Sequence, residues 1–218
     1  MIEMFRAGRA GQFHFGDKVT LTEKDAVDGS EVFQKELKKG PVTTTIAALI
    51  RAMIEHSDHT ATNVRIRMVG MEPVNRTVHE MGFSFTRLRR VMMDPAAAER
   101  NEENVSTPLE MVRLAELIYR GKVIDEAASK EMLEILKLPK GAMREAVPKA
   151  VEVAAKPGEI PGVYCETGIV LHRRRPFTLS VMTTYLQTDR NVIPEVAKII
   201  YEYFDRLGHS NIYGHKLE

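Results

Sequence analysis

A chain of 218 residues with 44% hydrophobic and 28% charged side chains is long enough for one domain, or two lobes sharing a core, and too apolar for disorder. Its formal net charge of +1 leaves no strong field to recruit nucleic acid or an anionic membrane. The single cysteine, Cys165, excludes an intrachain disulfide and reads as a buried small apolar residue in a strand-like run.

No apolar run reaches the length of a membrane span. Met1-Ile2-Glu3-Met4 lacks the basic region and apolar stretch of a signal peptide, so the chain as written reads as cytoplasmic, an export signal upstream of Met1 being left open. The basic clusters Arg87-Leu88-Arg89-Arg90 and His172-Arg173-Arg174-Arg175 are short, lack interleaved aromatics and read as solvated turns.

Ile2, Met4, Phe5 and Ala7 form one face of a helix that is already under way at residue 1 and ends near Gly8 and Gly11. Phe13 to Leu21 follows, then a weak cap at Thr22-Glu23-Lys24-Asp25, a turn at Asp28-Gly29-Ser30 and a short helix over Val32 to Leu37. Thr43 to Glu55 reads as one amphipathic helix, with Ile46, Leu49, Ile50, Met53 and Ile54 at helical spacing. After the Ser57-Asp58-His59 junction comes a second apolar run, Val64 to Val69. A helix over Pro73 to Met81 is bounded by Gly82.

Met93 to Val105 is irregular and polar. Thr107-Pro108-Leu109-Glu110 is a capping box with proline at the first helical position, opening a helix to about Arg120, and another helix runs from Asp125 to about Lys137. The period then changes. Val151 to Ala155, Val163 to Leu171 and Phe177 to Leu186 are β-branched runs, the last two joined by a hairpin connection at Arg173-Arg174-Arg175-Pro176. A final helix, Val192 to Leu207, carries Val196, Ile199, Ile200, Tyr203, Phe204 and Leu207 on one side and stops at Gly208. The closing Lys216-Leu217-Glu218 is given no structural weight.

A Ser-Asp pair between two helices is, alone, an ordinary cap. It acquires meaning from Lys156-Pro157-Gly158, which lies 99 positions after Ser57 and opens the run of strands. Ser57-Asp58-His59 looks like Ser-Asp-Asn with its third residue changed, Thr60-Ala61-Thr62-Asn63 continues the likeness, and Lys156-Pro157-Gly158 looks like Lys-Thr-Gly with its middle residue changed. In this order and setting the sequence resembles the class A β-lactamase and penicillin-binding-protein family of serine hydrolases.

The resemblance implies an α+β, β-lactamase/transpeptidase-like fold. A helical lobe, residues 1–140, would carry the Ser-Asp-His loop, and residues 141–218 would form an antiparallel sheet covered by a C-terminal helix, with the first helix and two strands of the sheet lacking. The strand at Phe177 to Leu186 would then have an open apolar edge that invites pairing with a second copy. Extended backwards, the resemblance puts the nucleophile motif Ser-x-x-Lys immediately before Met1; the 218 residues contain no such motif.

The implied chemistry is acyl transfer through a serine ester on a small molecule or peptide with a carboxylate, whether a β-lactam, a peptidoglycan peptide or an ester, without a cofactor. By resemblance Ser57 shuttles a proton to the leaving nitrogen, Asp58 holds the loop, and His59 stands where an asparagine orients the catalytic lysine and the substrate amide. Lys156 attracts the substrate carboxylate, Gly158 lets the ligand approach the backbone, and the Glu159 N–H is half of an oxyanion hole. Pro157 removes a hydroxyl and a backbone donor but is tolerated on an edge strand.

Met92 falls where class A enzymes keep the glutamate that activates the deacylating water, so slow deacylation is expected. His56 and His59 lack further ligands at useful spacing, which leaves no zinc site, and His14, His79, His172, His209 and His215 read as surface residues. The alternative reading is a non-catalytic binding or interaction protein of the same fold, suggested by the joint change at His59, Met92 and Pro157.

Overall fold

The computed structural model describes residues 1–186 and 191–217; Glu218, the end of the tail given no weight above, lies outside them. Contacts divide the chain into two units, Met1–Glu110 and Met111–Glu218.

In the first unit α1 (Ile2–Arg9) buries Met4, Phe5 and Ala7, and the Phe5 ring meets Phe15 edge-on at 4.8 Å. Strand β1 (Lys18–Leu21) leads into a short 3-10 turn (Glu23–Asp25) with a capping box between Thr22 and Asp25, and α2 (Phe33–Leu37) follows. The stretch expected as one helix from Thr43 is two elements, β2 (Val42–Thr45) and α3 (Ile46–Glu55). The cause is the run of β-branched threonines. They pair antiparallel with β1, Thr43 opposite Thr20 with their hydroxyls 3.0 Å apart, and Thr45 then caps α3 by accepting from the Ala48 N–H at 3.1 Å.

Helices α4 (His59–Val69) and α5 (Met71–Glu80) complete the compact part of this unit. Its core joins Leu21, Phe33, Leu37, Leu49, Ala52, Ala61 and Val64. The stretch expected to be irregular contains a short helix, α6 (Pro95–Glu99), capped by Asp94, and is closed by an Arg90–Glu103 ion pair at 2.7 Å. Helix α7 (Pro108–Tyr119) begins at the expected capping residue, since Thr107 Oγ1 accepts from the Glu110 N–H at 3.2 Å. The Glu110 carboxylate, however, accepts from the Phe85 and Thr86 N–H groups at 2.9 and 2.7 Å.

The second unit adds α8 (Glu126–Leu136), capped by Asp125, and the one-turn α9 (Ala142–Glu145), which no sequence signal announced. Strands β3 (Val153–Ile160), β4 (Val163–Val170) and β5 (Phe177–Met182) form an antiparallel sheet in the order β3-β4-β5, followed by α10 (Ile193–Gly208). Alternation sorts the side chains. Val153 and Ala155 join Met143, Val170, Phe177, Ile193 and Ala197 on one face, while Ala154 and Ile169 meet Ala115, Leu133 and Leu136 on the other. Pro157 lies on an edge strand of the described sheet.

Three sequence expectations change here. The apolar residues of α10 are split, because only one side of a helix meets the sheet: Ile200 and Phe204 pack inward, whereas Val196, Ile199 and Tyr203 are 36%, 65% and 50% exposed. His172 is buried rather than superficial. Its Nε2 lies 3.1 Å from Asp205 Oδ1 and its Nδ1 accepts from the Arg174 and Arg175 N–H groups, fixing the hairpin connection to α10. Cys165 is half-buried rather than buried, and burial still pushes its thiol pKa up.

Candidate active site

The first unit holds Ser57, Asp58 and His59 at the break between α3 and α4. Helix α3 ends when the His56 and Asp58 N–H groups both bond to Ala52 O, at 3.0 and 3.2 Å. Ser57 between them takes φ of 52°, the left-handed region that a non-glycine residue seldom occupies, and it is exposed. Asp58 is fully buried. Its Oδ1 accepts from Ala61 N–H at 2.8 Å, capping α4, and its Oδ2 accepts from Val32 and Phe33 N–H at 3.1 and 3.2 Å. One carboxylate thus joins the start of α4 to the start of α2.

Thr60, also buried, extends this junction. Its Oγ1 accepts from Val27 N–H at 2.9 Å, and its own N–H donates to Ser30 Oγ at 2.7 Å. The His59 ring lies against the same turn with Nδ1 2.7 Å from the Asp28 carbonyl oxygen. Only glycine fits opposite it, because a Cβ at residue 29 would come within 2.5 Å of that nitrogen.

Asn63 lies one helical turn beyond His59, and its structural role was not evident from the sequence. Its side chain accepts from Met92 N–H at 2.8 Å and donates to Met92 O at 3.0 Å. The residue in the position where the resemblance expects a glutamate is therefore held by both of its main-chain groups. Asn63, Met92, Asp94, Pro95, Ala26 and Asp28 border a cavity of about 420 Å³. The signal for Asn63 was its spacing: positions 59 and 63 share one face of a helix.

Lys156, Gly158 and Glu159 lie on β3 of the second unit. In register, Lys156 faces Thr167, Pro157 faces Glu166 and Gly158 faces Cys165. Lys156 Nζ donates to Pro157 O at 2.7 Å. Burial pushes its pKa down to about 8, against the opposing pull of the Glu166 carboxylate. Glu159 is exposed, and a Cβ at Gly158 would find its nearest neighbour, Cys165 O, at 4.0 Å, so the surface there is open.

Glu166 was not anticipated either. It is 1% exposed, its Oε2 accepts from Met143 N–H at 3.0 Å, and Gly141 packs directly on the carboxyl. Burial pushes its pKa up, opposed by the Met143 and Ala142 N–H groups and by Lys156. Only the apolar residues of the same run, Val163, Tyr164, Cys165, Ile169 and Val170, hint at this. Among the described residues no cluster of three or more His, Cys, Asp or Glu side chains could hold a metal, and no helix is long and apolar enough to cross a membrane.

A model of the β-lactamase enzyme family matches residues 1–204. The β-lactamase ROB-1 of Haemophilus influenzae is 25% identical over 194 residues, which are 84% of this chain and 63% of that enzyme. The chain thus spans less than two thirds of the curated relatives it matches. Among solved structures, a β-lactamase from Sphaerobacter thermophilus superposes with a TM-score of 0.85 at 23% identity, covering 94% of this chain and 79% of the other. A structure of PBP-A gives 0.81 at 19% identity, covering 94% and 77%. At such identities the two structures speak for the fold: helices plus an antiparallel sheet followed by a C-terminal helix.

Proposed function

Since this chain belongs to the β-lactamase enzyme family, we propose that it recognises carboxylate-bearing acyl donors, of the β-lactam, peptide or ester kind, for serine acyl transfer. The observation that carries this reading is the half-buried Lys156 ammonium on β3, which stays mostly charged at neutral pH although its pKa is lowered to about 8. Ser57 is the proton shuttle, Asp58 the structural anchor of its loop, His59 and Gly158 the ligand contacts, and the Glu159 N–H one oxyanion donor. Met92 supplies no carboxylate at the position that Asn63 holds, so an acyl-enzyme formed with a Ser-x-x-Lys serine would lose its acyl group slowly. The 218 residues contain no Ser-x-x-Lys, so by themselves they bind such ligands without forming this family's acyl-enzyme. The same observations favour, as the second reading, a ligand-binding protein of this family that does no chemistry.

Benzylpenicillin binding to the 218-residue chain, read by calorimetry together with intact mass, is the test. Binding without a covalent adduct is expected, and it should weaken as pH rises through about 8, where the Lys156 ammonium is lost. An ordinary lysine would hold the carboxylate to pH values above 10. Substituting Lys156→Ala should cost about tenfold or more in affinity, the loss of a hydrogen-bonded charge partner. Unchanged binding in that variant overturns the assignment of Lys156, and a stoichiometric adduct overturns the absence of a nucleophile.

We also propose that two copies associate through β5. Phe177–Met182 contains no charged residue and is an edge of the described sheet, the kind of edge that natural proteins usually blunt. Sedimentation at micromolar concentration should give a species of twice 24.6 kDa; a monomer throughout would refute the pairing.

A further inference from the structure

The bond between His59 and Asp28 O fixes more than the ring's position. A carbonyl oxygen only accepts, so at 2.7 Å it is Nδ1 that carries the hydrogen. A neutral imidazole has one N–H, and here that N–H is already used. The other nitrogen, Nε2, is then an acceptor and cannot donate to a ligand. Only the imidazolium, with a second N–H at Nε2, can do so.

The backbone on the acceptor side of this contact is held in place by the fold. Asp28 lies in a turn that Ser30, Thr60 and Val27 tie to the first residues of α4, and Gly29, with φ of +76°, leaves the room that the ring occupies. His59 remains half-buried at the start of that helix, two residues after the exposed Ser57.

We propose that His59 is a specificity-determining residue whose charge state decides which ligand groups the Ser57 loop accepts. Resting on the reading that this loop faces the ligand, the inference gives two states. The imidazolium donates from Nε2 to a carbonyl or carboxylate oxygen. The neutral ring offers a lone pair and selects N–H or O–H donors. An asparagine in this position would offer a donor and an acceptor at every pH, so the histidine makes recognition of an acylamide carbonyl pH-dependent.

The charged groups nearest His59 along the chain segments that meet there are Asp28 and Glu31 in the turn, Asp58 on its own helix start, Glu55 and His56 at the end of α3, and Asp94 on the cavity that Asn63 borders. Farther along, α4 carries Arg65 and Arg67, the latter paired with Asp25, and the packed helix α2 carries Lys35 and Glu36. Of these, the Asp58 oxygens accept backbone N–H groups and Asp28 Oδ1 accepts from Gln34 Nε2.

The test uses the full 218-residue chain, its His59→Asn variant and benzylpenicillin, which carries an acylamide carbonyl. Nitrogen-15 NMR of the histidine ring, without ligand at pH 7.5, should show Nδ1–H. Affinity, measured by calorimetry, should be about tenfold weaker at pH 7.5 than at pH 5.5, the loss of one hydrogen bond from a charged donor. In His59→Asn the two values should agree within about twofold. Lys156, titrating at about 8, is mostly charged at both pH values, so it contributes little to the difference.

An Nε2–H tautomer, or the same pH dependence in His59→Asn, overturns the proposal. Equal binding of wild type at both pH values overturns it too while leaving the proposed function standing. Absence of binding at either pH removes the ligand reading of the whole loop and this inference with it.

Discussion

Replacing Asp58 by alanine lowers the stability of the first unit by about 3–5 kcal/mol, because three backbone N–H donors lose their acceptor and each buried unsatisfied group costs about 1–3 kcal/mol. The donors belong to Val32, Phe33 and Ala61, so the loss falls on α2 and α4 together. For a chain of this size the melting temperature should fall by roughly 8–15 °C. Asp58→Asn keeps one accepting oxygen, and its smaller effect, about 1–2 kcal/mol, separates lost hydrogen bonds from lost volume. Urea unfolding of the three proteins decides the matter. A loss below about 1 kcal/mol in the alanine variant would show that water replaces the carboxylate, contrary to its full burial.

Gly141→Ala should be about as damaging for a different reason. The backbone at 141 is extended, with φ of −119°, so alanine meets no conformational penalty there. Its Cβ would instead come within 2.0 Å of Glu166 Oε1, and the buried carboxyl would have to leave the Met143 N–H. Overpacking plus a broken buried hydrogen bond amounts to about 3 kcal/mol or more. In a Glu166→Ala background the same substitution should cost less than about 1 kcal/mol, and that non-additivity is the signature sought. Equal costs in both backgrounds would disprove the clash.

The pH dependence of wild type has a fixed sign in this region. Glu166 has a raised pKa in the folded state, so its contribution to stability is fully present below its unfolded value. It is lost as pH rises through the raised value.

How much of this was legible in the sequence depends on whether the signal was local. Asp125, Thr107 and the Pro73–Gly82 pair were readable because caps and glycine stops act within a few residues. Thr43–Thr45 were misread because helical periodicity downstream outweighed β-branching, and their partner strand lies more than 20 residues away. Glu110 sat in a capping box by pattern, yet its carboxylate serves Phe85 and Thr86, a preference that tertiary structure alone sets. His172 was read as superficial for the same reason, since Asp205 is 33 positions distant.

Within the candidate site, the residues of each loop were legible and the atoms they bond were not. That His59 could donate one hydrogen bond was readable from its chemistry; that Asp28 O takes it was not.

The grip of Asn63 on Met92 has a consequence for how this position can change over time. Both hydrogen bonds of the amide go to main-chain atoms of residue 92. Residue identity at 92 is therefore uncoupled from residue placement, so a lineage can exchange methionine for another side chain there while the backbone is delivered to the same spot. Chemistry at this position is written by one residue and its address by another, and selection can edit the first without rewriting the second.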